Sequence, residues 1–70
     1  MNQLEQAIGD AAGKIWSTLD MGGSMTRTQL GKKTGLPAPL LNQGIGWLAR
    51  EGKLQVIQDK KREVLELNNK

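Results

Sequence analysis

Apolar residues recur at helical spacing through the N-terminal third of the chain. Leu4, Ile8, Ala11, Ala12, Ile15 and Leu19 fall on one stripe, which predicts a helix over about Leu4 to Leu19, ended by Gly22 and Gly23. Between this helix and the next, Ser24, Met25 and Thr26 leave room only for a very short strand, of the kind that pairs with the edge of a hairpin. Thr26 and Gln29 have the spacing of a capping box, in which the Thr hydroxyl accepts a backbone N–H and the Gln side chain reaches back. A second helix is therefore expected from Arg27 to Thr34. Gly35 can take the left-handed backbone that turns the chain, and a third helix begins near Pro37 or Ala38 and ends by Glu51 and Gly52. Leu30, Leu36, Leu41, Ile45 and Leu48 lie where such a helical pair buries its inner face. From Leu54 the apolar pattern no longer follows a helical period. Leu54, Val56 and Ile57, then a polar tip from Asp59 to Arg62, then Val64, Leu65 and Leu67 read as two strands of a hairpin. With that tip as the loop, Leu54 faces Leu67, Val56 faces Leu65 and Ile57 faces Val64. Leu54, Val56, Leu65 and Leu67 then share the face that closes the core, and Ile57 and Val64 land together on the other face.

Two helices meeting at a tight turn and followed by a hairpin define the expected fold class. It is α+β, a winged helix-turn-helix of three helices with a small antiparallel β-wing, spanning residues 1–70 as one domain. Seventy residues lie near the lower limit for a single core, and with no Cys there is no disulfide to assist, so self-association is expected of such a chain. No apolar run approaches the roughly 20 residues that cross a bilayer, and the N-terminus lacks the basic start and apolar block of a secretory signal. The expected location is the cytoplasm, with no membrane partner.

Composition narrows the chemistry. The chain has no His, Cys, Tyr or Phe, which removes the usual metal ligands, thiol nucleophiles and imidazole bases, so no catalytic residue, metal, cofactor or small-molecule substrate is expected. Glu5, Asp10, Glu63 and Glu66 are isolated in the sequence and read as solvated charges. Gly44 and Gly46 lack the third glycine and the preceding strand of a dinucleotide fingerprint. The net charge of +3 suits a polyanionic partner but is also ordinary for a soluble domain.

A DNA-reading third helix needs side chains that hydrogen-bond base edges, flanked by groups that hold phosphates. With Leu41, Ile45 and Leu48 inside, the outward face carries Pro39, Gln43, Gly46 and Arg50, with Asn42 at its edge. Asn42, Gln43 and Arg50 are the candidates for bases. Arg27, in the first turn of the second helix, and Lys60, Lys61 and Arg62, at the wing tip, are the candidates for phosphates. A charged hairpin tip also keeps a sheet edge soluble, and the two readings of the wing cluster weigh about equally. Lys32 and Lys33 fit the negative end of the second helix. Pro37 and Pro39 start the third helix well but have no N–H to offer a phosphate.

Glycine and tryptophan mark a different kind of surface. Leu40, Gly44, Trp47 and Glu51 form one flank of the third helix, and Gly9, Gly13 and Trp16 one flank of the first. Gly44 has an ordinary reading as close packing against the first helix or the sheet. Gly46 lies on the outer face, where approach by another backbone explains a mid-helix glycine that costs about 1 kcal/mol relative to Ala. Indole rings either complete a monomer core or anchor an interface. Leu40, Gly44, Gly46 and Trp47 are accordingly the candidate dimer or partner interface.

The residues also carry a family resemblance. Ile8 and Gly9, the run Ala12 to Trp16, the run Lys33 to Leu36 and, most specifically, the run Ile45 to Lys53 resemble a family of short bacterial winged helix-turn-helix proteins of unknown function. The similarity covers nearly the whole chain and is weakest in the wing. It implies the fold, with DNA binding by analogy and a homodimer, and brings no catalytic residue. Two functions follow. One is binding of double-stranded DNA as a dimeric transcriptional regulator. The other is a non-catalytic protein-interaction module that homodimerises or binds a partner through the third helix.

Overall fold

The computed structural model describes residues 3–68. The side chains of Leu4, Glu5 and Asp59 lie outside what is described, and with them the expected place of Leu4 on the first stripe and the reading of Glu5 as a solvated charge. In chain order the elements are α1 (Gln3–Gly22), β1 (Met25–Thr26), α2 (Arg27–Thr34), α3 (Ala38–Arg50), β2 (Leu54–Asp59) and β3 (Arg62–Leu67). The three strands form one antiparallel sheet in the order β1-β3-β2. This is the winged helix-turn-helix that the apolar pattern predicts.

Helix α1 runs three residues past Leu19. The helix continues because no left-handed residue interrupts it until Gly23, whose N–H donates to the Leu19 carbonyl at 2.9 Å. Helix α2 has the predicted bounds, and its N-terminal capping box is complete. The Gln29 N–H donates to Thr26 Oγ1 at 3.2 Å, and the Thr26 N–H donates to Gln29 Oε1 at 3.0 Å. At the other end Gly35 has φ 71°, and its N–H donates to the Gly31 carbonyl. Thr34, the buried polar residue of the turn, donates its hydroxyl to the Leu30 carbonyl at 2.8 Å and accepts from the Leu36 N–H at 3.3 Å. The turn between α2 and α3 thus satisfies its own polar groups next to the core.

The core lies between the three helices and one face of the sheet. Ile15, Leu30 and Leu65 are fully buried, joined by Ala12, Leu19, Met25, Leu41, Ile45, Leu48 and Leu54, with Leu36 and Leu67 packed against them. The wing register is as predicted: Leu54 pairs with Leu67, Val56 with Leu65 and Ile57 with Val64. Two details of the wing differ. The strands extend to an Asp59–Arg62 pair, leaving Lys60 and Lys61 alone at the tip. Val56, on the core face, is 45% exposed, because Leu54 and Leu65 already meet the helices and the outer half of the hairpin projects beyond them.

The acidic residues also depart from expectation. Glu63 is ion-paired to Arg27. Glu66 is half-buried, with Oε1 inaccessible to solvent and without a hydrogen-bond partner among the described residues. Glu63 stays exposed but is not isolated, and Glu66 is neither isolated nor fully solvated, since β3 places both beside other elements.

Candidate nucleic-acid interface

Arg27 is the residue on which the outward-facing site is assembled. Strand β1 pairs with β3 through Met25 with Leu65 and Thr26 with Val64, so Arg27 emerges one step further along, beside Glu63. Its Nη2 donates to Glu63 Oε1 at 3.2 Å and its Nη1 donates to Asn42 Oδ1 at 2.7 Å. One guanidinium therefore ties the start of α2 to α3 and to the tip-ward end of β3 in the wing. A guanidinium only donates, so the contact fixes the role of the Asn42 amide. Its oxygen is taken by Arg27, and its Nδ2–H2 group keeps its donors for another partner. Such donors suit guanine N7 or O6, adenine N7, thymine O4 or a phosphate oxygen.

Along α3 the predicted outward face is exposed at Pro39, Asn42, Gln43, Gly46 and Arg50. Gln43 stands next to Asn42 in the sequence and reaches solvent. Arg50 is eight residues beyond Asn42, roughly 12 Å along the helix axis, where it lines a shallow recess with Trp47 and Glu51. The structure therefore joins Arg27 to Asn42 and sets Arg50 apart from them. At the wing tip Lys60, Lys61 and Arg62 are exposed. Lys60 has φ 58°, a backbone conformation that costs an L side chain about 1–2 kcal/mol and that Gly or Asn adopts more readily. Lys32 and Lys33 are exposed in the last turn of α2.

The tryptophan surface is on a different side of α3. Trp16 and Trp47 are 41% and 40% exposed, and together with Gly9, Gly13 and Glu51 they line an open cleft of about 610 Å³ between α1 and α3. The two flanks that the sequence places on separate helices face each other. Leu40 is half-buried and does not line the cleft. Gly44 is a correction to the expected interface: it is buried, and a Cβ there would lie 2.7 Å from Ile15 Cδ1 and 3.2 Å from the Ala12 nitrogen. Its place is taken by α1 of the same chain. Gly46 has the opposite setting, exposed and with nothing within 4 Å of an added Cβ.

Sequence reasoning missed Glu63 as a member of the site. The signal was present in the pairing of β1, because setting Met25 opposite Leu65 carries Arg27 to Glu63. A two-residue strand is too short to reveal its register by periodicity.

Three helices, a two-residue β1 added to a two-stranded wing, and a polar outer face on α3 define a winged helix-turn-helix protein. Residues 1–67 match the family described as the DUF2582 winged helix-turn-helix domain, and the chain belongs to that family. It is 39% identical over 70 residues to the uncharacterised protein MJ1608 of Methanocaldococcus jannaschii, covering 96% of this chain and 99% of that one, so the similarity reaches into archaea. Among solved structures, the Zalpha domain of Carassius auratus PKZ, determined in complex with Z-DNA, superposes with a TM-score of 0.76 at 22% identity, over 89% of this chain and 98% of that one. NMB1585, a MarR family regulator of Neisseria meningitidis, superposes with a TM-score of 0.71 at 25% identity. That alignment covers 99% of this chain and 64% of the regulator, so the chain spans just under two thirds of the regulator's length.

Proposed function

We propose that this protein is a cytoplasmic DNA-binding protein that acts as a homodimeric transcriptional regulator. The observation that carries the reading is the contact of Arg27 with Asn42 at the junction of α2, α3 and the wing. It sets a cation and an oriented amide side by side on the surface that also bears exposed Gln43. Asn42, Gln43 and Arg50 are assigned to base edges, and Arg27, Lys60, Lys61 and Arg62 to phosphates. The fold's occurrence in a MarR family regulator and in a domain crystallised with Z-DNA supports the same reading. So does the basic residue at Lys60, held where the backbone favours Gly or Asn.

The test is titration of a fluorescein-labelled duplex, followed by anisotropy over a range of salt concentrations. Binding is expected to weaken steeply with salt. Replacing Lys60, Lys61 and Arg62 together by Ala should flatten the slope of log K on log salt by up to about 0.9 for each phosphate that the wing no longer neutralises. Absence of binding at low salt rejects the reading, and an unchanged slope removes the wing from it.

The tryptophan cleft favours a second reading, self-association or partner binding through the α1–α3 side. Two half-exposed indoles line one open cleft, and large aromatic side chains of this kind are enriched among the anchors of protein interfaces. Trp47 is assigned to that cleft, while Leu40 and Gly46, which lie outside it, are assigned to a partner contact elsewhere along α3. Sedimentation of the protein with and without Trp47→Ala tests self-association: a dimer that dissociates on this change supports the assignment of Trp47, whereas a strict monomer at high concentration rejects self-association through the cleft.

A further inference from the structure

The Arg27–Glu63 pair bears on how tightly DNA is held, and the following inference rests on the DNA-binding reading. Among the described residues the ion pairs are Arg27–Glu63 and Lys53–Glu51, and only the first involves a residue assigned to DNA. A carboxylate on such a surface is unfavourable for binding, since it repels phosphate and occupies a phosphate-seeking guanidinium. Glu63 is nevertheless held there by the β1–β3 register, which sets it beside Arg27 as a matter of backbone pairing. The pair is open to exchange, because the side chains are 39% and 46% exposed and the 3.2 Å contact is a single hydrogen bond rather than a two-pronged one. A pair of that exposure is weak, whereas phosphate offers Arg27 charge-assisted bonds of the same geometry without disturbing the Asn42 contact made by the other nitrogen.

We propose that Glu63 is an internal stand-in for phosphate. In the free protein its carboxylate holds Arg27 in place against Asn42. On DNA a backbone phosphate takes the position of the carboxylate on Nη2, and Glu63 swings away into solvent. The guanidinium is thereby kept preorganised for its contact, and the affinity is kept below what the cations alone would give. Glu63 is in this sense an affinity-setting residue of the interface, acting through Arg27.

The experiment uses the full chain and a fluorescein-labelled mixed-sequence duplex of about two helical turns. Anisotropy is recorded across a potassium chloride series for the wild type, Glu63→Gln, Arg27→Gln and the double variant. Glu63→Gln is expected to tighten binding at low salt by about three- to fivefold, the size of an exposed ion pair released. The slope of log K on log salt should be unchanged, because Arg27 neutralises the same phosphate in both proteins, whereas Arg27→Gln should flatten it by about 0.9. In the Arg27→Gln background the tightening should vanish. Glu63→Ala is the second variant and should act in the same direction, which guards against a glutamine that retains the hydrogen bond. If Glu63→Gln and Glu63→Ala bind no more tightly than the wild type, or tighten binding equally without Arg27, the proposal is overturned while the DNA reading stands. If the wild type and every variant fail to bind at low salt, the DNA reading falls and takes this inference with it.

Discussion

Gly44 and Gly46 are two residues apart on α3, yet a methyl group added to each would enter opposite surroundings. At Gly44 it would meet the end of Ile15 and the backbone of α1, at distances from 2.7 to 3.3 Å. At Gly46 it would meet nothing within 4 Å. The inner side of α3 is thus shaped by its own chain, and glycine there is explained by the fold. On the outer side, glycine forgoes helix propensity, and no neighbour within 4 Å of an added Cβ requires it. The two positions separate a glycine that the packing of α1 requires from one that the fold does not.

The largest effect should come from the inner side. Ile45, 4% exposed, stands between the two glycines in the sequence, and Ile45→Ala is expected to lower stability by about 2–5 kcal/mol, a large share of what so small a domain holds. Urea unfolding followed by circular dichroism would measure it; a decrease below about 1 kcal/mol would mean that the inner side is not the close-packed one.

Gly44→Val should be next. Its branched side chain would have to push α1 away, with an expected destabilisation of about 1–3 kcal/mol from overpacking, read in the same unfolding experiment. A neutral or stabilising result would show that α1 and α3 part easily and would dissolve the contrast with Gly46.

The smallest effect has the opposite sign. Gly46→Ala should raise stability by about 0.5–1 kcal/mol through helix propensity alone, while weakening either DNA binding or self-association. If stability rises and both kinds of binding are untouched, the outer glycine has no functional reason.

Much of this architecture was legible from residue spacing. The capping box at Thr26 and Gln29, the turn at Gly35 and the wing register are local or strictly periodic signals, and each appears as expected. The limits of legibility follow from the same cause. Val56 obeys the alternation of its strand but lies beyond the reach of the helices, and periodicity carries no information on where a core ends. Arg27, Asn42 and Glu63 are 15 and 36 residues apart in the pairs they form, so no spacing rule connects them.

The amino-acid order by itself determined the number and kind of elements and which stripe of each faces inward, because helix and strand periods and cap chemistry act over a few residues. Tertiary structure alone decided the rest. It turned Gly44 into a packing residue, set Trp16 against Trp47 across one cleft, and brought Glu63 to Arg27. Those relations depend on how closely α1 approaches α3 and on the register of a two-residue strand, and both are set by the fit of the whole core rather than by any short stretch of it.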